Sequence, residues 1–140
     1  MKYLLDTCVV SELVKNIPDQ KVKSWFRSVK EEDLFISAVT IGEIVKGTER
    51  LPQGKRKEEF IKWMNIGVIN RFKNRIIDFD LEVAAVWGRI QANSEDLGRK
   101  MPAIDGQIAA SAIANNLTVV TRNKSDMEIS GVRLFNPWED

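Results

Sequence analysis

The stretch "YLLDTCVVSEL", residues 3–13, decides how the chain is read. Tyr3, Leu4 and Leu5 have the character of a short buried strand, and Val9, Val10 and Leu13 recur at helical spacing. The change of period falls on Asp6, so a carboxylate stands where the first strand hands over to the first helix. A strand that runs directly into a helix is the opening of a parallel sheet covered by helices. In such sheets ligands bind at the carboxyl ends of the strands, which is where Asp6 is placed.

The same alternation continues outward. A strand is expected over 2–5 and a helix over 7–15. Beyond Pro18-Asp19 a helix over 20–30 carries Trp25, Phe26 and Val29 inward. Leu34-Phe35-Ile36 reads as a second strand, with Ser37 as N-cap of a helix over 38–49. A turn at 51–54 precedes a helix over 55–70 with Phe60, Ile61, Trp63 and Met64 on its apolar side. A third strand is expected at Ile76-Ile77-Asp78-Phe79, and a helix over 81–96 carries Val83, Ala84, Trp87 and Ile90. Pro102 opens a helix reaching about Asn116. Leu117 to Val120 form a buried strand, and Val132 to Phe135 a short last one. The expected fold is α/β: three α/β/α layers around a parallel sheet of about four or five strands, in one domain over 1–140.

Composition narrows the chemistry. With 44% hydrophobic and 29% charged residues, the 140-residue chain has the balance of a soluble globular domain. No apolar stretch approaches the roughly 20 residues of a membrane span. Lys2 and three apolar residues are too short for a secretory signal, and Cys8 has no second cysteine to pair with. A reducing, cytoplasmic location is expected. The chain has no histidine, which removes Ser-His-Asp and Cys-His catalysis and makes structural zinc very poorly supported. Net charge is only +1, but basic residues cluster at Lys55-Arg56-Lys57, Arg71 to Arg75, Arg99-Lys100 and Arg122 to Lys124. Each cluster is either solvated surface or a phosphate contact.

Three more acids interrupt the pattern. Glu43 lies between Ile41 and Ile44-Val45. Asp105 precedes a stripe of Ile108, Ala109, Ala112 and Ile113 on one helix face, which puts it on the buried side. Asp126 follows the last buried strand, where Thr121 and Asn123 share the strand end. Each has a plain structural reading: Asp6 as helix cap, Glu43 in a capping box with Thr40, Asp105 favouring a helix start, Asp126 in a turn. Together they point elsewhere, because a parallel sheet can bring all four to one cleft. Two carboxylates about 4 Å apart repel by roughly 4 kcal/mol at an effective dielectric of 20, so such a cluster calls for a cation. Oxygen-only ligands suit Mg²⁺ or Mn²⁺. The chemistry this allows is metal-assisted hydrolysis of a phosphodiester, with Thr7 or Thr121 orienting water or a carboxylate.

"LLDTCVVSEL", "SAVTIGEIVKG", "DGQIAASAIANNLTVVTRN" and the late "NPW" together resemble the PIN-domain ribonucleases, most closely the VapC/FitB-like toxins of prokaryotic toxin–antitoxin pairs. The resemblance implies a PIN-like fold and metal binding by Asp6, Glu43, Asp105 and Asp126. The first motif has Cys8 where the family often has asparagine, and Met127 follows Asp126 where an aromatic is frequent. If Asp126 is displaced, Asn123 is the substitute. The resemblance also implies an RNA substrate, a Mg²⁺- or Mn²⁺-dependent endonuclease, a homodimer, and a cognate antitoxin that wraps the toxin in a larger hetero-oligomer. That antitoxin would lie over the helices at 7–30 and 55–70, where Trp25, Phe26, Trp63 and Met64 are offered as apolar contacts, although ordinary core is the plainer reading of these four.

Two other classes compete. A phosphatase or phospho-acceptor domain also places an acid after its first strand. The phosphatase needs a second aspartate at position 8, which is Cys8, and a receiver would have to use Asp78 or Asp80 with Lys124. A non-catalytic binding module would keep the acids as structure alone.

Overall fold

The computed structural model describes all residues, Met1–Asp140. Five strands, β1 (Tyr3–Leu5), β2 (Leu34–Ser37), β3 (Ile76–Ile77), β4 (Thr118–Val120) and β5 (Leu134–Phe135), form one sheet in the order β3-β2-β1-β4-β5. Every pairing is parallel, with Leu4 level with Phe35 and Val119, and Leu5 level with Ile36 and Val120. Because strand side chains alternate, this register sorts the core into two layers. Leu4 and Val119 point into a cluster with Val83, Ile90, Ile108 and Ala112, against α5 (Leu81–Asp96) and α6 (Ala103–Ala114). Leu5, Ile36 and Val120 point the other way, to Val9, Val10, Met64, Val68 and Phe72. That layer is covered by α1 (Thr7–Glu12), α2 (Gln20–Ser28) and the continuation over Trp63–Ile69 of α4 (Lys55–Lys62). The expected three layers are present.

The strand order has a consequence for ligands. The chain builds outward from β1 to β2 and β3, then returns to the other side of β1 for β4 and β5. The reversal falls between β1 and β4, and such a switch point leaves a crevice beyond the carboxyl ends of the two strands. One rung beyond Leu5 and Val120 stand Asp6 and Thr121, with the Asp6 N–H donating to Val120 O at 3.0 Å.

Several elements differ from expectation, each for a local reason. α1 stops at Glu12 instead of 15, because the buried Glu12 carboxylate turns back to accept the Asp19 N–H at 2.9 Å and pairs with Lys15. β3 keeps only Ile76 and Ile77. Asp80 caps α5 by accepting the Val83 N–H at 2.9 Å, which takes Asp78 to Asp80 out of the sheet. The helix over 55–70 is α-helical to Lys62 and π-helical over Trp63–Ile69. α6 is buried on most sides, including Ala110 and Ser111, while Ile113, expected on the inner stripe, is 40% exposed. Arg71 and Arg75 both grip Glu31, at 2.8 and 2.9 Å, and that basic cluster serves the fold. Lys57 is likewise buried and donates to Glu49 O. No helix is long and apolar enough to cross a membrane.

Candidate active site

α1 and α3 (Ala38–Glu49) bring the first two acids together. Ser37 caps α3 by accepting the Val39 N–H at 3.0 Å, as its sequence position predicts, which starts the helix at Ala38 and puts Glu43 in the second turn. The capping-box reading of Glu43 is thereby removed. The Glu43 carboxylate instead accepts the Thr7 hydroxyl at 3.1 Å across the crevice. Asp6 is 7% exposed and fully engaged. Its Oδ1 accepts the Thr7 N–H at 2.7 Å, so the capping reading holds as well. Its Oδ2 accepts the Thr121 hydroxyl at 2.7 Å and, more weakly, the Cys8 thiol at 3.7 Å. Thr121 Oγ1 in turn accepts the Asn123 N–H at 3.1 Å. Asn123 therefore contributes through its backbone, and Thr7 and Thr121 each orient a carboxylate. Burial and then the charge on Asp6 push the Cys8 thiol above its ordinary value, so it stays protonated and able to donate.

Asp105 lies in the first turn of α6, half-buried, and Asp126 ends a short 3₁₀ turn over Lys124–Asp126, exposed. Burial, followed by the charges of Asp6, Asp126 and Glu43, raises the Asp105 carboxyl to about 6. The other three acids thus all lie within electrostatic reach of Asp105. None of the four takes part in any ion pair, although the chain carries 21 lysines and arginines. Like charges left without a counter-ion around a half-buried carboxyl are an arrangement that a cation would stabilise. No three of the side chains converge closely enough to ligate one ion directly. Mg²⁺ fits that arrangement, since it is commonly bound through one or two carboxylates and keeps several of its waters.

Basic residues stand on two sides of these acids. Arg99 and Lys100 share an open cavity with Ser125 and Asp126. On the opposite side, a groove of about 770 Å³ runs from Thr7 and Glu43 past Ser11 and Gly47 to Arg56 and Trp63. Arg122, by contrast, lies over the Trp138 ring at 5.2 Å, and Lys124 pairs with Asp140. The phospho-acceptor alternative loses Asp80, whose carboxylate is committed to capping α5.

Sequence reasoning missed Gln91 and Ser94, which hold the backbone of Met101 just before α6. Ser94 is a polar residue four positions beyond Ile90 on an inward face, the same kind of interruption that exposed the acids. Replacing Thr121 with valine keeps the shape and removes the 2.7 Å bond to Asp6. T121V is expected to lose roughly 1.5 kcal/mol of stability, the contribution of one hydrogen bond to a charged group. Thermal melts followed by circular dichroism check it.

A parallel α/β sheet with uncompensated carboxylates at its switch point defines a class of acid-edged α/β domains. Within that class, the chain belongs to the PIN-domain family, whose model ("PIN domain") matches residues 3–128. The chain is 36% identical over 137 residues to Toxin FitB of Neisseria gonorrhoeae, spanning 98% of this chain and 99% of that one. It is 35% identical to VapC ribonuclease Y4jK of Sinorhizobium fredii, over 97% of both chains. The crystal structure of FitAcB from Neisseria gonorrhoeae superposes with a TM-score of 0.92 at 36% identity, over 99% of each chain.

Proposed function

We propose that this protein is a divalent-metal-dependent endoribonuclease and the toxin of a toxin–antitoxin pair. Asp6, Glu43, Asp105 and Asp126 are the residues that would hold Mg²⁺ or Mn²⁺. The observation that carries the reading is the uncompensated carboxylate set: burial and then the charges of Asp6, Asp126 and Glu43 raise Asp105 to about 6, and none of the four acids is paired with a lysine or arginine. Family membership supports the same chemistry, and the two relatives' names give a toxin and a ribonuclease. When bound, such an ion lowers the pKa of a coordinated water and neutralises charge on a phosphoryl group. The chain's own residues do the rest. Thr121 and Thr7 fix the Asp6 and Glu43 carboxylates by hydrogen bonds. Arg99 and Lys100 flank the Asp126 side, and Arg56 lies in the groove on the Glu43 side, so both approaches offer cations to a phosphate backbone. No side chain is required as nucleophile.

The toxin reading implies a protein partner that covers the active face, and a homodimer that joins it in a larger assembly. Of the four side chains first considered for that contact, only Met64 is core, while Trp25, Phe26 and Trp63 are half-buried. Met64 is buried, and Trp25 packs between Tyr3, Phe26 and Phe135. The most exposed apolar side chains over 7–30 and 55–70 are Ile17, 85% exposed, and Ile66, 59% exposed. They are the better contacts for an antitoxin.

Purified protein incubated with total RNA and with a synthetic oligoribonucleotide is expected to cleave within the strand when Mg²⁺ or Mn²⁺ is present and to stop when EDTA is added. Intact RNA under both metals, across neutral and alkaline pH, would reject the reading.

A further inference from the structure

One half of the site has no hydrogen-bonded brace of its own. Asp6 and Glu43 are tied by Thr121 and Thr7, but Asp105 accepts no hydrogen bond from any side chain. Its position follows from how α6 begins, and α6 begins against α5. Three residues of α5, Trp87, Gln91 and Ser94, share one face at helical spacing. Ser94 accepts the Met101 N–H at 3.2 Å, and its own carbonyl accepts the Arg99 N–H at 2.9 Å. Gln91 Nε2 donates to Met101 O at 3.0 Å. Both backbone polar groups of Met101, four residues before Asp105, are thus held by α5 side chains.

The second contact is one residue beyond Asp105. Gly106 is buried against the same face: a Cβ placed there would stand 3.2 Å from Gln91 Oε1 and 3.2 Å from the Cδ1 and Nε1 atoms of Trp87. Those two polar atoms, Gln91 Oε1 and Trp87 Nε1, are buried without a hydrogen-bond partner. Unpartnered buried polar atoms are disfavoured, and a leucine at 91 with a phenylalanine at 87 would fill the same contact without that penalty. The face therefore sacrifices packing stability and retains a polar grip on Met101 and a close approach to Gly106.

We propose that Gln91 and Gly106 are positioning residues for the reaction: α5 holds the chain on both sides of Asp105, at Met101 and at Gly106, and so sets where that carboxylate meets the metal. This inference rests on the nuclease reading and on the role given there to Asp105, and it assigns the part played by α5, which carries no residue of the acid site.

Two variants test it. G106A adds a methyl group in the interior of a helix, where alanine is the better helix former, so the melting temperature is expected to hold or rise. The new Cβ meets Gln91, which is anchored to Met101 and cannot swing away without releasing it, so α6 must shift by a few tenths of an ångström. Displacement of that order is expected to lower kcat roughly five- to tenfold with KM for RNA nearly unchanged. Q91M keeps the volume, removes the bond to Met101 O, and is expected to lower kcat similarly. In both variants Mn²⁺ binding, followed by loss of the free-ion electron paramagnetic resonance signal, weakens several-fold. W87F in the G106A background removes the indole edge from the contact and restores part of the lost kcat. Parallel falls in melting temperature and activity, without rescue by W87F, would mean ordinary packing and overturn the inference. Unchanged kcat and Mn²⁺ binding in both variants would overturn it as well. If the unsubstituted protein itself leaves RNA intact, the nuclease reading falls and takes this inference with it, an outcome distinct from active protein with indifferent variants.

Discussion

Asp6→Asn is expected to reduce RNA cleavage by about 10³-fold or more, a loss of roughly 4 kcal/mol of transition-state stabilisation, while the protein stays folded. The separation of these two effects follows from the contacts. Asparagine has the same shape, and its carbonyl oxygen still accepts the Thr7 N–H that Asp6 Oδ1 accepts at 2.7 Å. The amide nitrogen takes the place of Oδ2, and the Thr121 hydroxyl, now 2.7 Å from that position as donor, turns to accept. The helix cap therefore survives, and one of the charges that raise Asp105 is gone. In metal-free protein the melting temperature of D6N is expected to equal or exceed that of the unsubstituted chain. If Asp6 were only a cap, asparagine, an equally good capping residue, would leave both readouts unchanged. Cleavage assays with Mn²⁺ and thermal melts on the same preparations decide between the two. Retention of more than a tenth of the activity would exclude Asp6 from the metal site.

The reason Asp6 could be singled out from sequence is that two periodicities meet there and a strand end in a parallel sheet is a place, not merely a residue. The same holds for α3 and α5. A serine cap fixed the start at Ala38, and regular spacing fixed Leu81–Asp96. Legibility failed where a distant partner decides. Nothing in the local pattern marks Glu12 as buried, yet it is buried and closes α1 early through the Asp19 N–H. Arg71 and Arg75 read as solvated surface or a phosphate contact, and Glu31, 40 and 44 residues earlier in the chain, claims both. Ile113 fits an inner stripe only if α6 has one wet side, and α6 is packed by its neighbours almost all round. The site divides the same way. Carboxylates are visible because they interrupt an apolar pattern, whereas what places Asp105 is a contact between α5 and α6 that no local pattern announces.

That dependence of Asp105 on its surroundings gives the second large effect, a pH profile whose midpoint moves with metal concentration. Burial first, then Asp6, Asp126 and Glu43, hold its carboxyl at about 6, against 3.8 for an unperturbed aspartate. A carboxyl raised in the folded state binds more protons than the unfolded chain between those two values. Folding is therefore favoured as pH falls from 7 toward 4, and this contribution is lost as pH rises through about 6. Asp105 is half-exposed, so solvent screening reduces the gain to on the order of 1 kcal/mol, visible as a higher melting temperature of metal-free protein at pH 5 than at pH 7. Activity must run the opposite way, because the protonated acid cannot serve a dication. At sub-saturating Mn²⁺, cleavage is expected to fall about tenfold per pH unit below 6. Metal and proton compete for the same carboxyl, so each tenfold excess of Mn²⁺ over its dissociation constant moves that midpoint down by about one unit. Rates measured from pH 4.5 to 8 at two Mn²⁺ concentrations a hundredfold apart should give two curves of the same shape, displaced along the pH axis. Superimposable curves would separate Asp105 from the metal, and a melting temperature that climbs steadily from pH 5 to pH 7 in EDTA would mean that the four acids do not share a field at all.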